Sequence, residues 1–369
     1  MNPAPVVGIL GVAGAYGRWL ERFFRTRMGL SVLGFDPALA DCPAPEHLAR
    51  ACDVLVFSVP IRHSAGIIRA LAREMRPRQP PPLWLDVTSI KQAPIEAMLE
   101  APVEVLGLHP MTAPPKSDTL KGRVLVVCEG RLDRWRGFVD RLLAALEAQC
   151  VHCAPHEHDR IMARVQGSTH AALLTLAAVL GEERPAPPAL MPFRTPVFEL
   201  VHACMARLLS GNPAIYEDIQ FSGAETARLL RRLAARTAEL AAMVDQGDEA
   251  ARQRFRQRFL DASARAFGEP GLAEAHASFE RLAWLLADLA EPRCVILHLP
   301  HDRPGALRRV LAEFERDGID IESIHSSRDL LGEVQFRIGF SRQQPDPAVR
   351  EAATRIHRLG LAVLRELHL

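Results

Sequence analysis

A glycine-rich turn near the start of the chain constrains the fold more than any other feature. The apolar run Val6–Leu10 leads into the turn Gly11–Gly17, and the segment after it, Arg18–Phe24, has helical periodicity. Glycines in such a strand–turn–helix unit let the backbone approach a pyrophosphate, whose negative charge the helix N-terminus favours. The pattern is G-x-x-G-x-x-G, because Val12 stands where the commoner G-x-G-x-x-G has its first glycine. An ordinary turn is therefore the alternative.

An acidic residue follows this turn at the distance that a ribose-binding carboxylate requires. The apolar run Ser31–Phe35 ends in Asp36, about 20 residues beyond the turn. A carboxylate there accepts hydrogen bonds from the ribose hydroxyls and repels a 2′-phosphate, so the expected cofactor is NAD rather than NADP. The alternative is a solvated aspartate that opens a turn with Pro37. The predicted cofactor site comprises Gly11, Gly14, Ala15, Tyr16, Gly17 and Asp36.

Two more apolar runs indicate further strands of the same domain. They are Asp53–Pro60 and Leu83–Val87, and helical patterns separate them from their neighbours. Alternating strands and helices predict a parallel sheet covered by helices, which is typical of an α/β Rossmann-type fold. We assign residues 1–154 to this NAD-binding domain.

Charge and hydropathy exclude several classes of partner. The chain has 45 basic and 44 acidic residues, a formal net charge of +1, and no basic stripe with interleaved aromatic residues, which argues against nucleic acid. No apolar run approaches the ~20 residues of a membrane span, and no charged leader precedes an apolar core. We therefore expect no membrane partner and a cytoplasmic location. The seven cysteines are not expected to form a disulfide framework in a chain of this size.

One cluster of potential metal ligands, Cys150–Cys153 with His156 and His158 close behind, suggests zinc. A second Cys or His pair at zinc-finger spacing is missing, and a strand that leads into a helix explains the same run. We therefore expect no metal. His158, within Glu157–Asp159, is expected to cap or orient the helix that begins nearby.

The rest of the chain divides into a helical and a mixed segment. Residues 155–290 carry long amphipathic patterns such as Glu225–Leu233, which predict an all-α helical domain with apolar faces that usually pack against a partner. Residues 293–369 alternate between strand-like and helical runs, in the order βαββαβ, and predict a small α+β domain. These runs are Cys294–Leu299, Asp302–Leu307, Ile319–Ile324, Glu333–Phe340, a helix from about Pro347, and Leu361–Leu367.

Several short motifs stand in a characteristic order and spacing along the chain. They are the glycine turn, Ser58–Ile61, Asp86–Lys91, Gly107–Met111, Glu157–Asp159, Met205–Leu209 and Asn212–Tyr216. Together they resemble the prephenate dehydrogenases of tyrosine biosynthesis, and the resemblance covers nearly the whole chain. The segments Arg303–Leu307 and Gly318–Ile321 resemble an ACT domain, the small ligand-sensing module of enzymes of amino-acid biosynthesis.

The resemblance implies a reaction, the NAD-dependent oxidative decarboxylation of prephenate to 4-hydroxyphenylpyruvate. Hydride leaves C4 for NAD⁺, the ring carboxylate leaves as CO₂, and the ring becomes aromatic. His109 matches the family's catalytic histidine, and a neutral imidazole with an unperturbed pKa of about 6.5 accepts the proton of the C4 hydroxyl. A core histidine that donates to a backbone carbonyl is the alternative.

The resemblance also implies roles for other polar residues. Ser89 hydrogen-bonds the substrate or orients His109, and Arg207 recognises a substrate carboxylate through its planar fork of donors. Lys91 either attracts the dianionic substrate or is solvated at the start of a helix. The remaining matches are His170, near the substrate, and Ser58 and Pro60, near the cofactor.

An ACT domain implies an amino-acid effector, here tyrosine or phenylalanine. The residues expected to bind it are Pro304, Gly305, Ala306 and Asp320. Many ACT domains carry asparagine where Asp320 stands, and an acid there opposes the carboxylate of an amino acid. A purely structural dimerisation domain is therefore the alternative. Relatives dimerise through the helical domain, so we expect a homodimer.

Two other functions share most of these features. An arogenate or cyclohexadienyl dehydrogenase, or another NAD-dependent dehydrogenase of the β-hydroxyacid type, shares the fold, and no single residue decides between prephenate and the ammonium-bearing arogenate. A non-catalytic sensor of NAD and amino acids would use the same domains for binding alone. The joint presence of Ser89, His109 and Arg207 argues against the sensor.

Overall fold

The chain forms two compact units. The computed structural model describes residues 4–300, 303–328 and 334–369, so Asp302 and Glu333 of the predicted C-terminal elements lie outside the described residues. The first unit extends to Ala242 and the second begins at Met243. The boundary falls inside a single long helix, Ala224–Gln246.

A seven-stranded sheet forms the centre of the first unit, in the order β2-β1-β3-β4-β5-β6-β7. Its strands are β1 Val7–Leu10, β2 Val32–Phe35, β3 Val54–Phe57, β4 Leu83–Asp86, β5 Glu104–Pro110, β6 Val124–Arg131 and β7 Gln149–His152. β1 lies between β2 and β3, so the turn after β1 opens where the sheet grows in two directions, the usual ligand position in open α/β sheets.

The sheet is not entirely parallel, which corrects the sequence-based prediction. β5 and β6 pair antiparallel, whereas the other neighbours pair parallel. A parallel return needs a crossover, usually a helix. The connection from Pro110 to Val124 contains no helix, so the chain turns back along β5.

Helices cover both faces of this sheet, as the α/β Rossmann-type prediction required. They are α1 Ala15–Thr26, α2 Pro45–Ala51, α3 Ile61–Glu74, α4 Gln92–Leu99 and α5 Arg136–Leu146. Strand residues alternate between two apolar cores: Ile9 packs with Phe23 of α1 on one face, and Leu10 packs with Ile68 of α3 on the other.

The chain then becomes helical, as predicted for residues 155–290. The first unit continues with α6 Pro155–Met162, a π-helical segment Ala163–Ser168, α7 Thr169–Glu182, a 3₁₀ segment Pro187–Phe193, α8 Pro196–Leu209, α9 Pro213–Gln220 and α10 Ala224–Gln246. Proline opens α6, α8 and α9, where its missing N–H costs nothing. Thr195 and Asn212 cap the last two through their side chains.

The second unit adds further helices and then the small mixed domain. Its elements are α11 Glu249–Phe255, a π-helical segment Arg256–Asp261, α12 Ala262–Phe267, α13 Glu269–Ala290, β8 Cys294–His298, α14 Ala306–Glu315, β9 Ile321–Arg328, β10 Val334–Phe340, α15 Asp346–Arg358 and β11 Val363–His368. The order βαββαβ is thus confirmed. The sheet is antiparallel, in the order β11-β8-β10-β9, and Val310 and Ile356 anchor α14 and α15 in its core.

The division into domains 1–154, 155–290 and 293–369 stays a prediction. Helices α6 to α9 belong to the same compact unit as the sheet, whereas α11 to α13 belong to the unit of the C-terminal sheet. Among the helices in the described ranges, none combines the length and the apolar composition that crossing a bilayer requires.

The close packing of α1 on the glycine turn predicts a stability effect. A Cβ at Gly17 would overlap the carbonyl oxygen of Gly11 and lie 2.7 Å from Val12 Cα, so Gly17→Ala forces α1 away from the sheet. We expect a loss of about 1–3 kcal/mol, measured as a lower midpoint of thermal unfolding. The matched control is Gly66→Ala in α3, where nothing lies within 4 Å and the change should be neutral or stabilising. Equal stability of the Gly17→Ala and wild-type proteins would contradict the prediction.

Candidate active site

The glycine turn has the geometry of a phosphate cradle. Gly11 adopts φ +85°, and a Cβ there would overlap the carbonyl oxygen of Ser58 at the end of β3. Gly14 precedes α1 as its N-cap, so the first N–H groups of the helix, from Ala15 to Gly17, have no partner within the helix. Where an anion would bind, the backbone therefore carries no obstructing side chains and offers several N–H donors.

Asp36 lies directly beside this turn, as the ribose-binding prediction requires. Its Oδ2 accepts the N–H of Ala13 at 3.1 Å, and its Oδ1 accepts the N–H of Ala38 at 3.0 Å. Ser58 follows β3, and its N–H donates to Leu10 at 2.9 Å. These contacts bring the predicted cofactor residues to the carboxyl ends of β1, β2 and β3.

Two aromatic residues of α1 hold the segment that follows β5. The Tyr16 hydroxyl donates to the carbonyl oxygen of Thr112 at 2.5 Å, and Trp19 Nε1 donates to that of Ser117 at 2.9 Å. Burial raises the pKa of Tyr16, so its hydroxyl stays a donor. The helix that starts at the glycine turn thus also positions the chain beyond His109.

His109 lies in β5 with only 3% of its surface exposed. Its Nδ1 is 2.9 Å from Nε2 of His158, and its Nε2 is 3.5 Å from the amide nitrogen of Gln166. The two imidazole rings meet edge to face, with centroids 5.1 Å apart. Both ring nitrogens of His109 therefore face polar partners.

His158 connects His109 to a carboxylate rather than capping a helix, which corrects the sequence-based expectation. Its buried side chain has Nδ1 2.7 Å from Asp159 Oδ1. Asp159 is the residue that caps a helix, because its oxygens accept the N–H groups of Lys91 at 2.8 Å and Gln92 at 3.0 Å where α4 begins. The packing of α6 on α4 directs the motif Glu157–Asp159 toward His109.

Both expectations for Lys91 are wrong, since it is neither solvated nor open to a substrate. The side chain is completely buried, its Nζ forms an ion pair with Asp86, and it donates to the carbonyl oxygen of Leu108 at 2.9 Å. Asp86 also accepts the N–H of Thr88 at 3.2 Å. A buried carboxylate requires such a counter-ion.

Burial and nearby charge keep His109 neutral. Its pKa lies well below the usual histidine value, first because burial disfavours the cation and then because Lys91 and His158 lie near. Burial alone would raise the pKa of Asp159, but hydrogen bonds from His158 and from the backbone of Gln92 and Lys91 outweigh it and leave the pKa low. A neutral His109 is therefore connected, through His158, to an ionised carboxylate.

His170 and Arg207 form a second group of polar residues, on the helices that follow α6. His170 of α7 packs against Tyr216 of α9, with ring centroids 5.5 Å apart, and its Nδ1 has no hydrogen-bond partner among the residues that the structure describes. Burial lowers the pKa of His170, and the positive charge of Arg207 on α8 lowers it further. In the part of the chain that the structure describes, Arg207 is exposed and forms no ion pair. It is free to meet an anion.

Gln166, and not the predicted Ser89, is the residue that approaches His109. Ser89 is half-buried and, within the described ranges, makes no hydrogen bond to His109. Gln166 does approach His109, from a π-helical segment of the kind often found at functional sites. Sequence reasoning missed Gln166, which belongs to no recognisable catalytic pattern, and it assigned no role to Asp86 although Asp86 opens the motif Asp86–Lys91. The signal for His158 and Asp159 was present in the motif Glu157–Asp159.

The sequence matches two family models. Residues 32–151 match "Prephenate dehydrogenase, nucleotide-binding domain", and residues 154–259 match "Prephenate dehydrogenase, dimerization domain". The 4-amino-4-deoxyprephenate dehydrogenase of Streptomyces pristinaespiralis is 32% identical over 263 residues, which are 65% of this chain and 85% of that protein. This chain belongs to the prephenate dehydrogenase family. Residues 260–369 lie beyond both models.

Other members of the family are longer than the matching part of this chain. The T-protein of Enterobacter agglomerans is 32% identical over 249 residues, 67% of this chain and 64% of that protein. A probable arogenate/prephenate dehydrogenase of Methanocaldococcus jannaschii is 28% identical over 235 residues, 59% of this chain and 52% of that protein. The chain thus spans about half to two thirds of these relatives.

Solved structures share the fold. The prephenate dehydrogenase of A. aeolicus, in complex with hydroxyphenyl propionate and NAD⁺, has a TM-score of 0.52 at 16% identity, over 71% of this chain and 98% of that one. The arogenate dehydrogenase of Synechocystis has a TM-score of 0.50 at 16% identity, over 70% and 99%. This family member therefore has the Rossmann-type and helical architecture of those two enzymes.

The buried ion pair predicts a double-variant stability effect. Lys91→Met leaves the Asp86 carboxylate buried without its counter-ion, and we expect a loss of about 3–5 kcal/mol in urea unfolding. Adding Asp86→Asn removes the second charge, so the double variant should recover most of the loss. If Lys91→Met alone unfolds at the wild-type urea concentration, the pair does not hold the site together.

Proposed function

We propose that this chain is an NAD-dependent prephenate dehydrogenase, which converts prephenate to 4-hydroxyphenylpyruvate and CO₂ in L-tyrosine biosynthesis. One observation carries the proposal. A buried histidine, His109, is held neutral on a strand whose continuation is hydrogen-bonded to the helix of the glycine turn. A base and a dinucleotide cradle are thereby attached to one framework, as hydride removal coupled to proton removal requires.

The residues at the turn fit NAD. Gly11 and Gly17 have no room for a side chain, and the start of α1 offers unpaired N–H groups to a pyrophosphate. Asp36 presents a carboxylate that suits two ribose hydroxyls and repels a 2′-phosphate. When bound, NAD⁺ supplies the acceptor for the hydride. The chain's own part is to bind and orient it.

The other residues have complementary tasks in this proposal. His109 accepts the hydroxyl proton at C4 of the substrate, and burial around it excludes water. Arg207 holds a substrate carboxylate through charge-assisted hydrogen bonds, each worth about 1.5–3 kcal/mol. The charge of Arg207 acts on His170, whose Nδ1 has no hydrogen-bond partner among the described residues, and we assign His170 to the same substrate-binding group. Loss of the ring carboxylate then makes the ring aromatic.

The substrate alternatives differ at two ends of the molecule. Arogenate carries an ammonium group on its side chain. The M. jannaschii and Synechocystis relatives both have arogenate in their names. The Streptomyces relative is named for a substrate with an amino group at C4, the position that His109 would deprotonate. A non-catalytic sensor of NAD and amino acids is the alternative from another class.

The assay compares the candidate substrates directly. Purified protein is mixed with NAD⁺ and prephenate, arogenate or 4-amino-4-deoxyprephenate, with NADP⁺ in parallel, and the rise of NADH or NADPH absorbance is followed. We expect the highest kcat/KM with prephenate and NAD⁺. Faster turnover of another substrate reassigns the specificity, and no turnover of any of them supports the sensor. Tyrosine and phenylalanine are added afterwards to test inhibition.

The low pKa of His109 predicts the pH dependence of turnover. The base must be neutral, so activity falls as pH drops through its pKa, and burial and Lys91 move that pKa below the usual value of about 6.5. We therefore expect the acidic limb of the kcat profile to have its midpoint below 6.5. His109→Asn should lower kcat by about 10²–10⁴ while NAD⁺ binding, followed by fluorescence, persists. Unchanged turnover in His109→Asn would exclude His109 as the base.

The C-terminal sheet domain is proposed to be an ACT domain that binds tyrosine or phenylalanine. Its order βαββαβ and its antiparallel sheet support this assignment. Gly305, with φ +85°, is the N-cap of α14, which begins at Ala306, and Pro304 precedes them. Asp320 is exposed just before β9. The cytoplasmic location is likewise part of the proposal.

The helical region is proposed to bind a second copy of this chain. Helix α13 has 22 residues and buries none of them completely, although Leu282, Leu285 and Leu289 recur along one face. Val244 of α10 and Trp284 of α13 are also 70% and 72% exposed. Apolar helices without a core of their own are typical of an interface between identical subunits.

A charge on this apolar face should weaken a homodimer. We expect the wild-type protein to sediment as a dimer, and Leu282→Glu to shift it toward monomer at micromolar concentration. Leu39→Glu is the matched control, because Leu39 is 44% exposed and Leu282 46%, but Leu39 belongs to the nucleotide-binding domain. A wild-type monomer at every concentration, or equal effects of the two variants, would refute the proposal.

A further inference from the structure

We infer that His158 and Asp159 are positioning residues that decide which ring nitrogen of His109 carries the proton. The inference rests on the proposed function, since it concerns how His109 serves as a base. In this role both residues act through His109 and not on the substrate itself. Their effect passes through two consecutive hydrogen bonds, of 2.7 Å and 2.9 Å.

The direction of both bonds follows from the carboxylate at their end. Ionised Asp159 can only accept, so Nδ1 of His158, at 2.7 Å, must carry a proton. When His158 carries a single proton, that proton is the one on Nδ1, which makes Nε2 of His158 the acceptor. Nδ1 of His109, at 2.9 Å, must then donate. The lone pair of neutral His109 is thereby placed on Nε2.

The surroundings of Nε2 agree with this assignment. The amide nitrogen of Gln166 approaches it at 3.5 Å, and an amide N–H requires an acceptor. With the proton on Nε2 instead, two lone pairs would face each other between His109 and His158, and two donors would meet at Gln166. With a singly protonated His158 and the nitrogen of the Gln166 amide toward His109, these hydrogen bonds are consistent when His109 presents a lone pair on the Gln166 side.

Asp159 is prevented from turning away. Its Oδ1 accepts the N–H of Lys91 and its Oδ2 the N–H of Gln92, so the start of α4 fixes both carboxylate oxygens. The His158 side chain is completely buried and has no room for another partner. The direction of the array is therefore determined by the fold, not by solvent.

Such an arrangement prepares His109 for the proton that it is to receive. When Nε2 accepts the substrate's hydroxyl proton, the imidazolium still donates from Nδ1 to His158, so neither imidazole ring has to reorient and only the Gln166 amide must turn its nitrogen away from Nε2. Triads of serine hydrolases use a carboxylate in the same way, and loss of the correct tautomer there lowers turnover by about 10⁴. Here a second imidazole extends the connection by one residue.

The direct test is the tautomer of His109, observed by nitrogen NMR of protein labelled with ¹⁵N-histidine. The His109 signals are those that disappear in His109→Asn. We expect a protonated Nδ1 and an unprotonated Nε2 in the wild-type protein without substrate. A proton on Nε2 would overturn the inference. This readout needs no turnover, so it remains decisive even if the proposed reaction fails.

Variants of His158 give the kinetic test. His158→Leu removes the acceptor for Nδ1 of His109, so the proton should move to Nε2 and kcat should fall by about 10²-fold or more, with KM for NAD⁺ little changed. His158→Gln keeps an acceptor oxygen, and its loss should be at least tenfold smaller. His156→Leu is the matched control, because His156 lies on the same helix and is exposed. Melting temperatures identify any variant that fails to fold.

The outcomes separate positioning from a merely structural role. Equal losses in the Leu and Gln variants, with the His109 proton still on Nδ1, would overturn the inference. Loss confined to His158→Leu, together with the shifted tautomer, would support it. Absence of turnover in the wild-type protein, with the expected tautomer present, would reject the proposed reaction and leave the array intact.

Discussion

The buried ion pair between Lys91 and Asp86 is the interaction on which the rest of the candidate site depends. It joins the end of β4 to the residue before α4, and the same ammonium group donates to Leu108 on β5. Two charges are tolerated in an apolar interior only as a well-bonded pair, so the start of α4 has one stable position against the sheet. The N–H groups that hold Asp159 belong to that start.

Two effects then combine at His109. The nearby ammonium group and the burial of the ring keep the imidazole neutral, and the His158–Asp159 pair orients its remaining proton. The first effect decides whether His109 can act as a base, and the second decides which of its ring nitrogens accepts the proton. Because the fold supplies both effects, the ring nitrogen of His109 is held in place without a flexible loop. A site that is preorganised in this way lowers the activation barrier of the reaction.

Helix α1 connects the glycine turn to the segment that follows β5, the strand that carries His109. Helix α1 presents its N-terminus to the turn, and its Tyr16 and Trp19 hold the segment after β5 through backbone carbonyls. A dinucleotide on the turn and a substrate beside His109 would therefore be held by one rigid element. Orientation of two reactants on a common framework is among the larger contributions to catalysis. Tyr16, a side chain inside the predicted cofactor motif, forms one of these hydrogen bonds, to the carbonyl oxygen of Thr112.

The sequence by itself determined the elements and their chemistry. Periodicity and glycine spacing located the turn Gly11–Gly17, the first four strands of the Rossmann-type domain, the helical region and the βαββαβ order, because these depend on contacts between residues close in the chain. Tertiary structure alone decided the antiparallel β6, the π-helical approach of Gln166, the burial of Lys91 and the pairing of His109 with His158. Each of these depends on residues that are far apart in sequence, 49 positions in the histidine pair, and on a desolvation cost that no local pattern records.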